Sequence, residues 1–301
     1  MFDVIVIGGG PAGLSGALVL ARCTRKVALI DQGQHRNQAS SHTHGYLTQD
    51  GVTPREFIAR CRNDLSKYDV EYVSDRVEDA VHRDDSLFEV ILTSGRRMRS
   101  RKLLLATGVR DLLPTIDGFA QFYGRSIHHC PYCDGFEHRG QRLCAFGSGN
   151  AAVGLALALR TWSAQVVACT DGRLPDREHL GLAAANMVLV LPQRVARLEG
   201  SDGRLARLRF ADGSAHDCDA MFFNTGQVQR SDLPKRLRCR FDSDGGVHTS
   251  DRQCTSVPGL YVAGDADKEV QFLIVAAAQG ATAAVGINRA LQDEELGTPG
   301  R

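Results

Sequence analysis

Phe2-Asp3-Val4-Ile5-Val6-Ile7-Gly8-Gly9-Gly10-Pro11-Ala12-Gly13 is the stretch whose reading decides the fold. Residues 2–7 form an apolar, β-branched run and residues 14–22 have helical composition, so the glycines lie at a strand-to-helix turn. A G-x-G-x-x-G string alone is weak. Here a second strand, expected at residues 26–30, closes on Asp31, roughly 20 residues beyond the glycines, where an acid that binds a ribose belongs. Gly8, Gly10 and Gly13, with Pro11 and Ala12 between them, let the backbone approach a pyrophosphate. The helix N-terminus offers it unpaired N–H groups and a positive dipole. The stretch therefore reads as a site for an ADP moiety. A turn kept only for tight packing would leave Asp31 unaccounted for.

Between Val4 and Ala21 no charged residue occurs, which on its face suggests a signal or membrane-spanning segment. The run lacks a basic leader and is broken by Gly8-Gly9-Gly10-Pro11, so it divides into a buried strand and a buried helix. At 301 residues and 43% hydrophobic the chain can build two cores, and a net charge of +1 gives no reason to expect a nucleic-acid partner. Nine scattered cysteines do not make a disulfide framework, and their odd number leaves one unpaired. A reducing, cytoplasmic setting without membrane attachment is expected.

Further along, Thr53 caps a helix that begins at Pro54 and is expected to run to about residue 68. Strands are expected at 70–73, 77–81, 87–92 and 102–106, the last ending on Thr107-Gly108. From Arg142 the plan recurs. A strand at 143–146 leads into Gly147-Ser148-Gly149-Asn150-Ala151-Ala152, then a helix at 153–160 and a strand at 166–169. Strands at 195–198 and 205–210 follow, and one at 220–224 ends on Thr225-Gly226 as the earlier one ended on Thr107-Gly108. A repeated dinucleotide-binding unit can hold two dinucleotides.

Near the C-terminus a strand ends on Gly264-Asp265, and an alanine-rich, nearly uncharged helix, expected at 271–287, has to be buried. The expected architecture is α/β with two Rossmann-like dinucleotide-binding domains. The first is discontinuous (1–113 and 233–301) and the second (114–232) is inserted into it, with a return linker at about 227–251.

Between the repeats lies His128-His129-Cys130-Pro131-Tyr132-Cys133-Asp134-Gly135. Two thiols separated by two residues close a small disulfide ring without large backbone movement, and Asp134 is placed to carry the proton each half-reaction needs. A zinc knuckle using His128, His129 or His138 is the alternative. It lacks a second ligand pair, since only Cys144 follows before Cys169, and no metal is expected. His42 and His44 lie in a polar loop at 40–46, where each can be a site residue or simply solvated.

Taken together, GGGPAG, ATG, CPYCDG, GSGNAA and GLYVAGDA, in that order, resemble the low-molecular-weight thioredoxin reductase family over essentially the whole chain. The resemblance implies an enzyme that binds FAD and NADPH, is commonly a homodimer, and exchanges disulfides with a thioredoxin-like protein or a small molecule. It implies that Cys133 faces the flavin, Cys130 attacks the partner and Asp134 donates the proton. Gly8, Gly10, Pro11, Ala12, Gly13 and Asp31 would serve the FAD adenosine side, with Thr107 and Gly108 beside them. Gly264, Asp265 and Gln271 would serve the flavin side, and Gly147, Gly149, Asn150 and Ala151 the nicotinamide.

Two places depart from the family's pattern. Where it carries arginines for a 2′-phosphate, this chain has Thr170-Asp171-Gly172-Arg173. Asp171 would repel a phosphate or accept a 2′-hydroxyl, so NADPH and NADH both stay open, with Arg173 and Arg177 as a shifted basic site. The loop at 42–51 also lacks the family's aromatic-Pro-Gly signature. These departures resemble a branch that oxidises dithiols and passes electrons to oxygen without nicotinamide, although Asp134 fits the reductases better. Three readings follow: an NAD(P)H-dependent disulfide reductase, a nicotinamide-independent FAD dithiol oxidase, and a flavin-bearing redox sensor.

Overall fold

The structure is a computed structural model that describes residues 1–267 and 270–297. Its chain forms two compact units, one from Met1–Gln38, Gly45–Arg110 and the described residues from Val228 onward, the other from Ala39–His44 and Asp111–Gln227.

In the first unit, β1 (Phe2–Ile7) runs into α1 (Pro11–Arg22), β2 (Val27–Asp31), α2 (Pro54–Leu65) and β3 (Val70–Ser74). The helix begins at Pro11, three residues earlier than its composition suggested, because proline at the first helical position needs no N–H partner. Thr53 caps α2 by accepting the Glu56 N–H at 3.1 Å. A hairpin of β4 (Val77–His82) and β5 (Phe88–Leu92) leads to β6 (Arg97–Leu105). This strand is longer than the 102–106 expected. Its first half alternates exposed Arg97 and Arg99 with buried Met98 and Ser100 and pairs antiparallel with β5, a pattern its charges conceal.

The chain leaves this unit at β7 (Val109–Asp111). The second unit contains α3 (Phe119–Phe122), β8 (Ile127–His128), α4 (Pro131–Asp134), β9 (Leu143–Gly147), α5 (Asn150–Leu159) and β10 (Val166–Cys169). It continues through α6 (Arg177–Ala185), β11 (Leu189–Leu191), β12 (Val195–Ser201), β13 (Arg204–Phe210), β14 (Ala215–Asp217) and β15 (Ala220–Asn224). Five of these strands form a parallel sheet in the order β11-β10-β9-β15-β8. Ala152, Val153, Ala156 and Leu159 of α5 cover one face, while the antiparallel β12-β13-β14 sheet covers the other with Leu198, Leu205 and Leu208.

The chain re-enters the first unit through β16 (Gln227–Gln229), then α7 (Leu233–Arg236), β17 (Leu260–Val262) and α8 (Leu273–Leu296). Residues 227–251 are thus not a linker: Leu233, Leu237, Cys239 and Val247 are core residues against Val90 and Leu103. The first sheet runs β3-β2-β1-β6-β5-β4, with β17 parallel to the second half of β6. On its other face α1 and α8 pack closely, since a Cβ on Gly280 would lie 2.0 Å from the Ala12 carbonyl oxygen.

Helix α8 also differs from expectation. It starts at Leu273, leaving Gln271 before it, runs nine residues past 287, and is not wholly buried, with Val285 58% exposed. Its acidic end is held by Arg25, Arg101 and Lys102 on Glu294 and Glu295. Among the described residues no helix is long and apolar enough to cross a membrane.

Candidate active site

In the first unit the glycine turn is an open cradle. Gly8 has φ +112° and its Cβ would lie 2.2 Å from the Ala106 oxygen, while a Cβ on Gly13 would lie 1.8 Å from the Gly8 oxygen. These two positions fix how tightly turn, helix and strand pack. Gly10 is different, because nothing lies within 4 Å of where its Cβ would be, and no side chain caps α1. The space and the free N–H groups fit a pyrophosphate. Beside the turn, Thr107 Oγ1 is buried without a hydrogen-bond partner among the described residues, an unmet group of the kind a cofactor satisfies.

At the end of β2, Asp31 is buried. Its Oδ2 accepts from Arg62 and from the Tyr72 hydroxyl, each at 2.8 Å, and its Oδ1 accepts from the Gly33 N–H at 3.1 Å. Burial alone would raise its pKa, yet the donors from Tyr72, Gly33 and Arg62 hold it below the usual carboxylate range. The acid is therefore kept ionised, and Arg62, whose guanidinium lies 4.8 Å from the centre of the Tyr72 ring, is a partner of this acid that sequence spacing did not indicate.

The Gly-Asp corner meets the same turn. Gly264 (φ +80°) would bring a Cβ to 2.9 Å from the Ala12 Cβ, and its N–H donates to buried Gln279 at 2.8 Å. Asp265 and Gln271 are brought together by Arg36, whose Nη1 donates to Asp265 Oδ2 at 2.8 Å and Gln271 Oε1 at 2.7 Å. Arg36 is more than 200 residues from both, so no local pattern reveals it.

In the second unit the corresponding turn is covered by the chain itself. Gly149 (φ +56°) would put a Cβ 3.7 Å from the Leu174 oxygen and 4.0 Å from the Arg173 Cβ. Both polar atoms of Asn150 are engaged by Asp176, which donates its N–H at 2.9 Å and accepts the amide at 2.7 Å. The His179 backbone N–H and ring and the Asn150 amide push Asp176 down to about 2, so it is a fixed anion beside the turn. Asp171 accepts the Val195 N–H at 3.3 Å, and Ala151 N–H donates to Ser148 at 3.2 Å.

Cys130 and Cys133 are joined as a disulfide, with Cα atoms 5.3 Å apart. Cys130 takes the N-cap position of α4, and its sulfur accepts the Cys133 N–H at 3.1 Å, a contact that favours negative charge on that sulfur. Trp162 packs behind the pair: a Cβ on Gly135 would lie 2.7 Å from its ring, and Tyr132 meets it edge-on at 5.5 Å. Tyr132 itself is 74% exposed.

Asp134 pairs with buried His128, Oδ1 to Nδ1 3.2 Å, and His128 Nε2 is 3.0 Å from His138 Nε2. Two of the three histidines weighed as zinc ligands, His128 and His138, thus bond to each other. The loop at 40–46 contributes as well, for His44 Nε2 lies 3.7 Å from Glu137 Oε1. Cys144 and Cys169 are buried with sulfurs 3.2 Å apart, and burial pushes the Cys144 thiol well up, which suits packing rather than exchange.

The family model for pyridine nucleotide-disulphide oxidoreductases matches residues 2–280. The crystal structure of HlmI is similar at 35% identity and a TM-score of 0.95, covering 98% of this chain and 94% of that one. An oxidoreductase from Agrobacterium tumefaciens is similar at 32% identity and a TM-score of 0.89, covering 97% and 98%. Thioredoxin reductase tcpT of Claviceps purpurea is 32% identical over 275 residues, 87% of this chain and 86% of its own length.

Proposed function

The chain belongs to the pyridine nucleotide-disulphide oxidoreductase family, and from that premise we propose that this thioredoxin-reductase-like FAD oxidoreductase works as a dithiol oxidase that needs no nicotinamide. One observation carries the reading: the first glycine turn is open and the second is closed by its own chain. Gly10 faces empty space, whereas Asn150 is tied to an ionised Asp176 and the backbone of Leu174 crosses over Gly149. A pyrophosphate approaching the second turn would meet the Asp176 carboxylate beside it.

When bound, FAD supplies the two-electron acceptor. The turn at Gly8, Gly10 and Gly13, with Pro11 and Ala12, would hold its pyrophosphate, Asp31 with Arg62 its ribose, and Thr107 and Gly108 its flank. Gly264, Asp265 and Gln271, fixed by Arg36, would hold its flavin side. At the disulfide, a substrate thiolate attacks Cys130, whose sulfur already accepts an N–H, and Cys133 leaves as a thiolate next to Asp134. The exposed ring of Tyr132 suits a small apolar dithiol. With dioxygen as final acceptor, dithiol plus oxygen gives disulfide plus hydrogen peroxide.

A second reading has one feature in its favour. Arg173 lies beside Gly149, so it could steady the phosphate of a nicotinamide if the loop opened, and the protein would then reduce a thioredoxin-like partner. Oxygen uptake separates the two. The oxidase reading expects uptake with dithiothreitol alone, abolished in Cys133→Ser. No uptake, together with NAD(P)H consumption on a disulfide, would establish the reductase instead.

A further inference from the structure

Asp134, His128, His138 and Gln141 form a continuous chain of polar contacts in the second unit, an ion pair followed by two hydrogen bonds, and the geometry points to His128 as the proton store of the Cys130–Cys133 pair. His128 Nδ1 faces the Asp134 carboxylate at 3.2 Å. Its Nε2 lies 3.1 Å from the Arg125 carbonyl oxygen and 3.0 Å from His138 Nε2. A carboxylate and a carbonyl only accept, so both ring nitrogens of His128 carry hydrogen in this arrangement and the ring is an imidazolium. His138 completes the pattern as a neutral ring, accepting at Nε2 and donating from Nδ1 to Gln141 Oε1 at 2.8 Å. Burial, with the neighbouring His128 charge, lowers the pKa of His138 and keeps it neutral.

The surroundings restrict the proton to this route. His128 is 5% exposed and its ring lies tilted against Phe222, centroids 5.5 Å apart, and the charged groups Glu137 and Asp219 act on His138. If His128 gave up its proton with nothing else changed, its Nε2 lone pair would face the Arg125 carbonyl. That cost disappears when His138 turns its own Nε2–H toward it and the Gln141 amide flips to donate. The chain thus has two matched hydrogen-bond states that differ by one proton, and half-buried His138 is its outlet.

This inference rests on the proposed reading only in that the disulfide exchanges with a dithiol. In the exchange, one substrate thiol loses its proton and bonds to Cys130, the Cys130–Cys133 bond breaks, and Cys133 departs with the electron pair. The Asp134 carboxylate takes a proton from His128 Nδ1 and passes it to that thiolate. The second substrate thiol then loses its proton and attacks the mixed disulfide, Cys130 departs and is protonated, and electrons and protons balance within the two dithiols. His128 acts through Asp134 and is a positioning residue.

The test is a single-turnover reduction of the holoenzyme disulfide by excess dithiothreitol under nitrogen, acid-quenched, with free thiols counted by mass, across pH 5–9. Divided by the thiolate concentration of the reductant, the wild-type rate should fall as pH rises across this range. His128→Asn and Asp134→Asn should each lower the plateau by about 10- to 100-fold, the lower range of acid–base catalysis, and remove that limb. The double variant should be no slower than either single one, since the two act as a unit. His138→Ala should slow exchange and be restored by added imidazole, and it carries the test with Asp134→Asn if His128→Asn does not fold. A His128→Asn protein that melts earlier but keeps the limb and plateau, losses that multiply, or no imidazole rescue would overturn the proposal. Because dithiothreitol reduces the pair whichever way electrons flow in the cell, absence of oxygen uptake would not mimic any of these outcomes.

Discussion

Asp176 and Asn150 hold each other by two hydrogen bonds across the second glycine turn, N–H to Oδ1 at 2.9 Å and amide to Oδ2 at 2.7 Å. The same pair keeps α6 capped, because the other carboxylate oxygen of Asp176 accepts the His179 N–H at 2.8 Å. One side chain therefore caps the start of a helix and ties down the second glycine turn.

Replacing that carboxylate without losing the cap separates the two roles. Asp176→Ser retains an N-cap oxygen and removes the charge. Its affinity for ADP-ribose or NADPH, by calorimetry, should rise about tenfold over wild type, as expected for removing a like charge near a phosphate. Unchanged affinity would mean that the loop, rather than its charge, is the barrier.

The first turn offers a matched pair of substitutions. Gly10→Ala adds a methyl to empty space, so it should fold with an unchanged melting temperature and lose FAD. Gly13→Ala forces a Cβ to within 1.8 Å of the Gly8 oxygen, and it should lose both FAD and on the order of 3 kcal/mol or more of stability. Melting curves with flavin absorbance decide this, and equal destabilisation by both would contradict the open cradle.

Thr107→Val removes the buried hydroxyl that has no partner. The cofactor-free protein should melt at the same temperature or slightly higher, while FAD affinity falls about fivefold for the loss of one hydrogen bond of about 1 kcal/mol. A lower melting temperature of the apoprotein with full FAD affinity would assign the hydroxyl to structure.

Asp31 predicts an acid limb. Its folded pKa is depressed, so its contribution is complete at neutral pH, begins to fade below the unfolded value of about 3.9, and is lost as pH falls through the folded value. Unfolding midpoints followed by circular dichroism between pH 2 and 6 should fall less steeply in Asp31→Asn than in wild type. Equal slopes would show that other carboxylates account for the limb.

Much of the fold is legible because its signals are local. The turn at Gly8–Gly13, the cap at Thr53 and the strand ending at Asn224 each follow from a few neighbouring residues. The errors fall where a distant partner decides. Arg97 and Arg99 disguise a strand whose pairing to β5 settles it, and the helix continues past 287 to an end where Arg101 and Lys102 hold Glu294. At the site, the cysteines and glycines were legible for the same local reason. Arg36, Arg62 and the coupling of His128 to His138 were not, since no spacing rule links residue 36 to 265 and 271 or says which way a histidine turns. Asn150 was legible as a turn residue, but its engagement by Asp176 depends on how the loop after β10 folds back.

The measurement that tests the account most directly is the flavin absorbance of the purified holoenzyme under nitrogen, with NADPH, NADH and dithiothreitol added in turn. The closed second turn predicts that both nicotinamides leave the oxidised spectrum intact over minutes and that the dithiol bleaches it, in wild type but not in Cys133→Ser. Bleaching by NADPH or NADH within seconds would contradict it.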